Sequence, residues 1–224
     1  KFYFAEIAGI READELAESI NPKVMGQALH EALAALFAPF KKELLTPEAY
    51  ISMLDRSDAA VTEAFARKYK GSDLAFGKNL LVVNVAMLLL KRYLRIAKAE
   101  AESALADGTP EKLTGIEEPV SAEIVVRTTG GHDVPVKLKG FIDRIGKQGA
   151  VTRILDYKSG MVKPAQLEVQ EWDDLVTDPG LDMAFQLLLY AWLVKENTGR
   201  SFAATAAIQP LRKAAGGVLN VKVP

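Results

Sequence analysis

Two hydrophobic periods divide this chain. In the first half, apolar residues recur every three or four positions, the spacing of a helix face. Asn21-Pro22 supplies a cap residue and then a proline suited to the first helical position, and Leu29, Leu33, Leu36 and Phe40 follow at helical spacing. Pro39 predicts that regular helix weakens there. Thr46-Pro47-Glu48 repeats the cap-and-proline signal and opens a second helix, predicted to end near Tyr69-Lys70-Gly71. A third, long helix is predicted over 77–106, stopped by Asp107-Gly108-Thr109-Pro110.

The period then shortens to two. Val120, Ala122, Ile124 and Val126 alternate with other residues as on a half-buried strand over 119–128. Gly130-Gly131-His132-Asp133 reads as a hairpin turn, 134–145 as the returning strand, and 151–157 as a third strand after the turn at 146–149. These form an antiparallel meander. The stretch 160–180 has little periodicity and many acids, and reads as a long functional loop. A helix over 181–197 and strands over 201–209 and 218–223 complete the pattern. The expectation is one domain over 1–224, helical to about 110 and sheet-based from about 111, with a mixed sheet and one late helix.

Composition narrows the chemistry. The chain has 224 residues, 49% hydrophobic and 25% charged, which is ordinary for a globular protein with a real core. It has no cysteine, which excludes disulfides, thiolate zinc sites and cysteine nucleophiles from this segment. The net charge is -1, so any contact with a nucleic-acid backbone must use a local patch, a metal ion or a partner that delivers the substrate. The first residue is Lys rather than Met, which points to excision from a longer chain. The most apolar run, 80–90, is too short to span a bilayer and reads as a buried helix.

Chemistry concentrates in two strings, Gly140-Phe-Ile-Asp143-Arg144-Ile145 and Ile154-Leu-Asp156-Tyr157-Lys158-Ser-Gly160. Alternation along a strand puts Asp156 and Lys158 on one face, and Asp143 on one face with Phe141 and Ile145. If the two strands pair, the carboxylates converge, and two hard oxygen donors suit a magnesium ion. The bland alternative is a structural ion pair at a sheet surface. His30, on an Ala- and Leu-rich helix, reads either as a packed, hydrogen-bonded residue or as a metal ligand. Gln186 and Tyr190 are one helical turn apart on an apolar helix, at a solvent edge or facing a cleft. Glu117 and Glu118 precede the predicted first strand, and are either surface acids or the source of one more oxygen ligand. The run 71–79 is no phosphate-binding loop, because its glycine spacing is wrong and it lacks the final Ser/Thr. There is no dinucleotide fingerprint and no nucleophile elbow.

Taken together, these strings resemble the PD-(D/E)xK nuclease superfamily, and within it the RecB/AddB-like helicase-nuclease branch. Lys1-Phe2-Tyr3-Phe4 is similar to that domain's aromatic start, and Gly26-x-x-x-His30 to its helical histidine motif. The strings around Asp143 and Asp156-Tyr157-Lys158 resemble its second and third motifs, and Gln186-x-x-x-Tyr190 its following helix motif. The resemblance implies an α/β, restriction-endonuclease-like core with a mixed central sheet flanked by helices and a helical N-terminal half.

It also implies roles. His30, Asp143 and Asp156, with the backbone carbonyl of Tyr157, would bind Mg²⁺ or Mn²⁺. Lys158 would orient the attacking water and steady developing charge, with Asp143 and Asp156 as its catalytic partners. Gln186 and Tyr190 would shape the cleft, and Glu118 would match an acid on the first core strand of relatives. The implied activity is metal-dependent DNA hydrolysis on single strands, coupled to a helicase domain or subunit in DNA break repair in the cytoplasm, with no membrane partner. The competing reading is an inert module of the same fold that binds DNA ends or a partner subunit. The iron–sulfur cluster of some relatives needs cysteines that this segment lacks.

Overall fold

A computed structural model of the chain describes residues 19–71, 74–199 and 203–224. The aromatic start over 1–4 lies outside the described residues. Helix α1 (Pro22–Phe37) begins where the Asn21 side chain accepts the Val24 N–H at 2.9 Å, and it tightens into a 3₁₀ turn over Ala38–Phe40 at the expected proline. Helix α2 (Pro47–Lys68) is capped by Thr46, and α3 spans Gly77–Ala106. Each buries one stripe: Leu29, Leu33 and Phe37 from α1, Met53, Val61 and Phe65 from α2, and Ala86, Leu90 and Leu94 from α3. These interlock in one cluster that reaches the sheet at Leu113 and Tyr157.

The sheet runs β1 (Glu111–Arg127), β2 (Asp133–Gln148), β3 (Val151–Lys158), β4 (Ala203–Pro210) and β5 (Leu219–Asn220), in spatial order β1-β2-β3-β4-β5. The first three form the expected antiparallel meander. β4 joins parallel to β3, so the chain must cross over between them, and helix α5 (Asp182–Thr198) makes that crossover. The loop before α5 holds two 3₁₀ turns and the single-turn α4 (Asp174–Thr177). Gly199, at φ 62°, terminates α5 in the left-handed conformation that favours glycine. Among the described residues no helix is long and apolar enough to cross a membrane.

Alternation along the strands sorts side chains into two layers. Ile154 and Ile208 pack on the α5 side with Leu193 and Leu187, while Leu155, Tyr157 and Gln209 lie toward α3. The sheet is therefore mixed and flanked by helices, as expected.

Three details differ from the sequence expectation. β1 begins at Glu111, not near 119, so Glu117 and Glu118 lie inside the strand. The segment 111–118 alternates poorly in hydropathy because its register shifts between Leu113 and Gly115. The distal half of the β1–β2 hairpin is a two-stranded arm: β3 pairs with β2 only over 144–148, and Val125 and Val126 are 66% and 42% exposed. The last strand shrinks to Leu219–Asn220.

Candidate metal centre

The β2–β3 ladder ends at Arg144↔Leu155, one step short of Asp143 and Asp156. Where the ladder stops, backbone groups need other partners. Asp143 supplies one, accepting the Tyr157 N–H through Oδ2 at 2.7 Å. Its other oxygen, Oδ1, faces His30 Nδ1 at 3.2 Å. Asp143 and Asp156 are both buried.

Helix α1 reaches this point because Gly26 is glycine. A Cβ there would lie 3.2 Å from Ser159 Oγ, so the missing side chain lets the helix approach the end of β3, and His30 follows one turn later. This gives a packing reason for the spacing between the glycine and the histidine.

Glu117 completes the group. The β1–β2 register places it opposite Asp143, between the pairs Ile116↔Arg144 and Glu118↔Ile142. Ligand atoms of His30, Glu117 and Asp143 lie within 4.8 Å of one another. Glu117 has φ 44°, a left-handed backbone that costs a non-glycine residue about 1–3 kcal/mol and clusters at functional sites. Glu118 is not brought to this group; its carboxylate pairs with Lys41 Nζ at 2.7 Å on the surface. The choice between neighbouring acids rests on one backbone angle that strand alternation does not forecast.

Asp156 and Lys158 stand on β3 with Nζ 2.7 Å from Oδ2. The approach is too bent for a hydrogen bond, and Oδ2, although buried, has no hydrogen-bonded partner among the described residues. A buried carboxylate oxygen left in that state is a ready acceptor or ligand.

The electrostatics tie these groups together. Burial alone would lower the His30 pKa, but its hydrogen bond to Asp143, the charges of Asp143 and Asp156, and the Tyr157 backbone outweigh that and raise it. Burial and then repulsion from Asp143 push the Asp156 carboxyl up, against the opposing pull of Lys158. Glu117 is pushed up by burial and by Asp143. Several acids that resist sharing negative charge suit a cation, and the hard oxygen donors with one imidazole suit Mg²⁺ or Mn²⁺.

Gln186 Nε2 donates to the Tyr190 hydroxyl at 2.8 Å. Burial raises the Tyr190 pKa, and the charges of Asp156 and Asp143 add to it, which places this pair beside the acids. Tyr157 turns its side chain to the far layer, where Arg144 Nη1 donates to Tyr93 at 2.9 Å and reaches Tyr157 at 3.5 Å. Glu111 ties this network down, 2.6 Å from Arg144 and 2.7 Å from Arg153. Sequence reasoning passed over Glu111 and Arg153; the only available signal was that Arg144 must point away from Asp143. An open cleft of roughly 620 Å³ lies in front of the site, lined by Gln27, His30, Glu31, Lys68 and Glu117.

This sheet, with an acid on one strand facing an acid-x-lysine on the next and a helical histidine beside them, defines a metal-assisted hydrolase centre of the nuclease type. A model of the PD-(D/E)XK nuclease superfamily matches residues 1–221, and the chain belongs to that superfamily. Its members are typically nucleases that use divalent metal ions. A search of curated proteins found no significant match.

Proposed function

We propose that this chain is a metal-dependent deoxyribonuclease domain that hydrolyses phosphodiester bonds. The observation that carries this reading is the convergence of His30, Glu117 and Asp143 within 4.8 Å, beside the Asp156–Lys158 pair. His30, Glu117, Asp143 and Asp156 would hold the cation, with the Tyr157 carbonyl in reach of the same point. The ion supplies Lewis-acid chemistry, polarising the phosphate and acidifying water.

The protein's own groups do the rest. Asp156 fixes the Lys158 ammonium beside the acids, where it would orient water and offset charge developing on the phosphate. Asp143, pinned by the Tyr157 N–H, keeps its ligand oxygen in place. The Gln186–Tyr190 pair bounds the cleft on the α5 side. The cleft lining carries Glu31 and Glu117 against Lys68, so an entering phosphate meets no basic surface and depends on the ion and Lys158.

The finer assignment follows the RecB/AddB-like resemblance. The substrate would be single-stranded DNA delivered by a helicase domain or subunit during break repair in the cytoplasm. The net charge of -1 supports it, since a delivered strand needs no strongly basic docking face.

The test is Mg²⁺-dependent cleavage of end-labelled single-stranded DNA, duplex DNA and RNA by wild type, Asp156→Ala and Lys158→Ala, each verified as folded by its melting curve. Both variants should lose cleavage by about 100-fold or more. Wild-type rates in both folded variants would overturn the assignment and leave an inert binding module. Preference for duplex or RNA would overturn only the substrate.

A further inference from the structure

Behind the metal centre, on the α3 side of the sheet, lies a second cavity of roughly 340 Å³. Its size falls within the range of about 300–1,000 Å³ typical of small-molecule sites. Its lining is also of that kind: Leu45, Ala97 and Leu155 with Tyr50 and Tyr93, and a few polar groups among them.

Two of those polar groups are incomplete. Arg144 and Gln209 are each only 4% exposed and both line the cavity. Arg144 Nε and Gln209 Nε2 meet no hydrogen-bond acceptor among the described residues. Both atoms are donors, so the missing partner is an acceptor. Burying such a donor unpaired is costly, and native proteins rarely leave one so.

The charges say what kind of acceptor. The Glu111 carboxylate sits between Arg144 at 2.6 Å and Arg153 at 2.7 Å, with Glu111 and Arg144 buried and Arg153 half-buried. Two guanidiniums against one carboxylate leave one positive charge in poor contact with water. Glu100 also lines the cavity, but it is exposed, so water screens its charge. A singly charged oxyanion would neutralise the cluster and accept from both orphan donors.

We propose that this cavity binds a small oxyanion, carried either by inorganic phosphate or by the phosphate of a mononucleotide. The site is separate from the metal centre, because Arg144 and Gln209 face the layer opposite Asp156, and it does not depend on the nuclease reading. The anion would sit against the guanidinium that contacts Tyr157, the residue whose N–H holds Asp143.

The test is isothermal titration calorimetry on the metal-free protein, with inorganic phosphate, thymidine 5′-monophosphate and thymidine as separate titrants up to about 10 mM. One saturable site is expected for phosphate or for the monophosphate, with none for thymidine. Gln209→Leu removes one orphan donor, and Ala101→Leu fills space in the cavity from α3; each should weaken binding about tenfold or more while melting as a folded protein. Lys158→Ala, which removes the cation of the metal centre, should leave binding unchanged. Binding by phosphate alone assigns a free anion, and tighter binding of the monophosphate assigns a nucleotide. No saturable heat from either anion means that water alone fills the cavity and overturns the proposal. Binding that survives both cavity variants, or that disappears in Lys158→Ala, overturns it equally.

Discussion

Gly140 and Tyr190 give a prediction whose sign depends on a partner. Gly140 pairs with Val120 on β1, and its φ is not in the left-handed region, so alanine fits its backbone. A Cβ at this position would lie 2.6 Å from Tyr190 Cε1 and 3.3 Å from Cδ1. Tyr190 is 9% exposed and packed among Ile142, Ile154 and Leu193, so its ring has little room to retreat. Over-packing of this kind costs about 1–3 kcal/mol. Replacing glycine by alanine otherwise stabilises by about 0.4–1 kcal/mol through the unfolded chain. Gly140→Ala should therefore destabilise by about 1–2 kcal/mol, lowering the melting temperature by roughly 2–8 °C for a chain of this size. In a Tyr190→Ala background, itself costing about 3 kcal/mol or more, the clash is gone and the same change should stabilise. Urea denaturation of the four proteins without metal measures this directly. Equal effects of Gly140→Ala in both backgrounds would show that the glycine does not exist to seat the tyrosine beside the cleft.

Other expectations follow from the same geometry. Glu117→Gln should weaken Mn²⁺ binding by about tenfold or more, whereas Glu118→Gln should leave it unchanged and cost at most about 1 kcal/mol of surface pairing, as calorimetry and melting curves would show. Glu111→Gln strips the carboxylate from buried Arg144 and should destabilise by about 3–5 kcal/mol in urea, and a loss below about 1 kcal/mol would contradict the network. The raised His30 pKa has a definite sign: its contribution to metal-free stability is complete below 6.5 and is lost as pH rises through the higher folded value. Asp156, also raised, acts in the same direction from 3.8 upward. Metal-free stability should thus decline across this range, with a shallower slope in His30→Gln, and Mn²⁺ binding near pH 6.5 should release protons in buffers of different ionisation heat.

Helix boundaries were legible because local signals agree with tertiary demand. Asn21-Pro22 and Thr46-Pro47 start helices where they should, and Gly199 ends one a single residue past the predicted stop. Asp143, Asp156 and Lys158 were legible as strand-borne groups because period two fixes their face. His30 was legible only through resemblance, since its meaning depends on Gly26 touching Ser159 across 133 residues of chain. Glu117 was not separable from Glu118, because a left-handed residue inside a strand breaks the alternation that any sequence reading assumes. The Glu111–Arg144–Arg153 network was invisible for a related reason: Glu111 lies on the part of β1 whose register shift erases the hydropathy pattern. The exposed arm beyond the sheet shows the opposite case, in which an apolar alternation persists where no described element covers it.

The account stands on a single cation site shared by α1, β1, β2 and β3. Anomalous diffraction from Mn²⁺-soaked crystals locates such an ion without reference to activity. The account predicts one strong peak among His30, Glu117 and Asp143, within ligand reach of Asp156, and its disappearance in Asp143→Asn crystals. A peak held by other residues, or none at these four in saturating Mn²⁺, would contradict it.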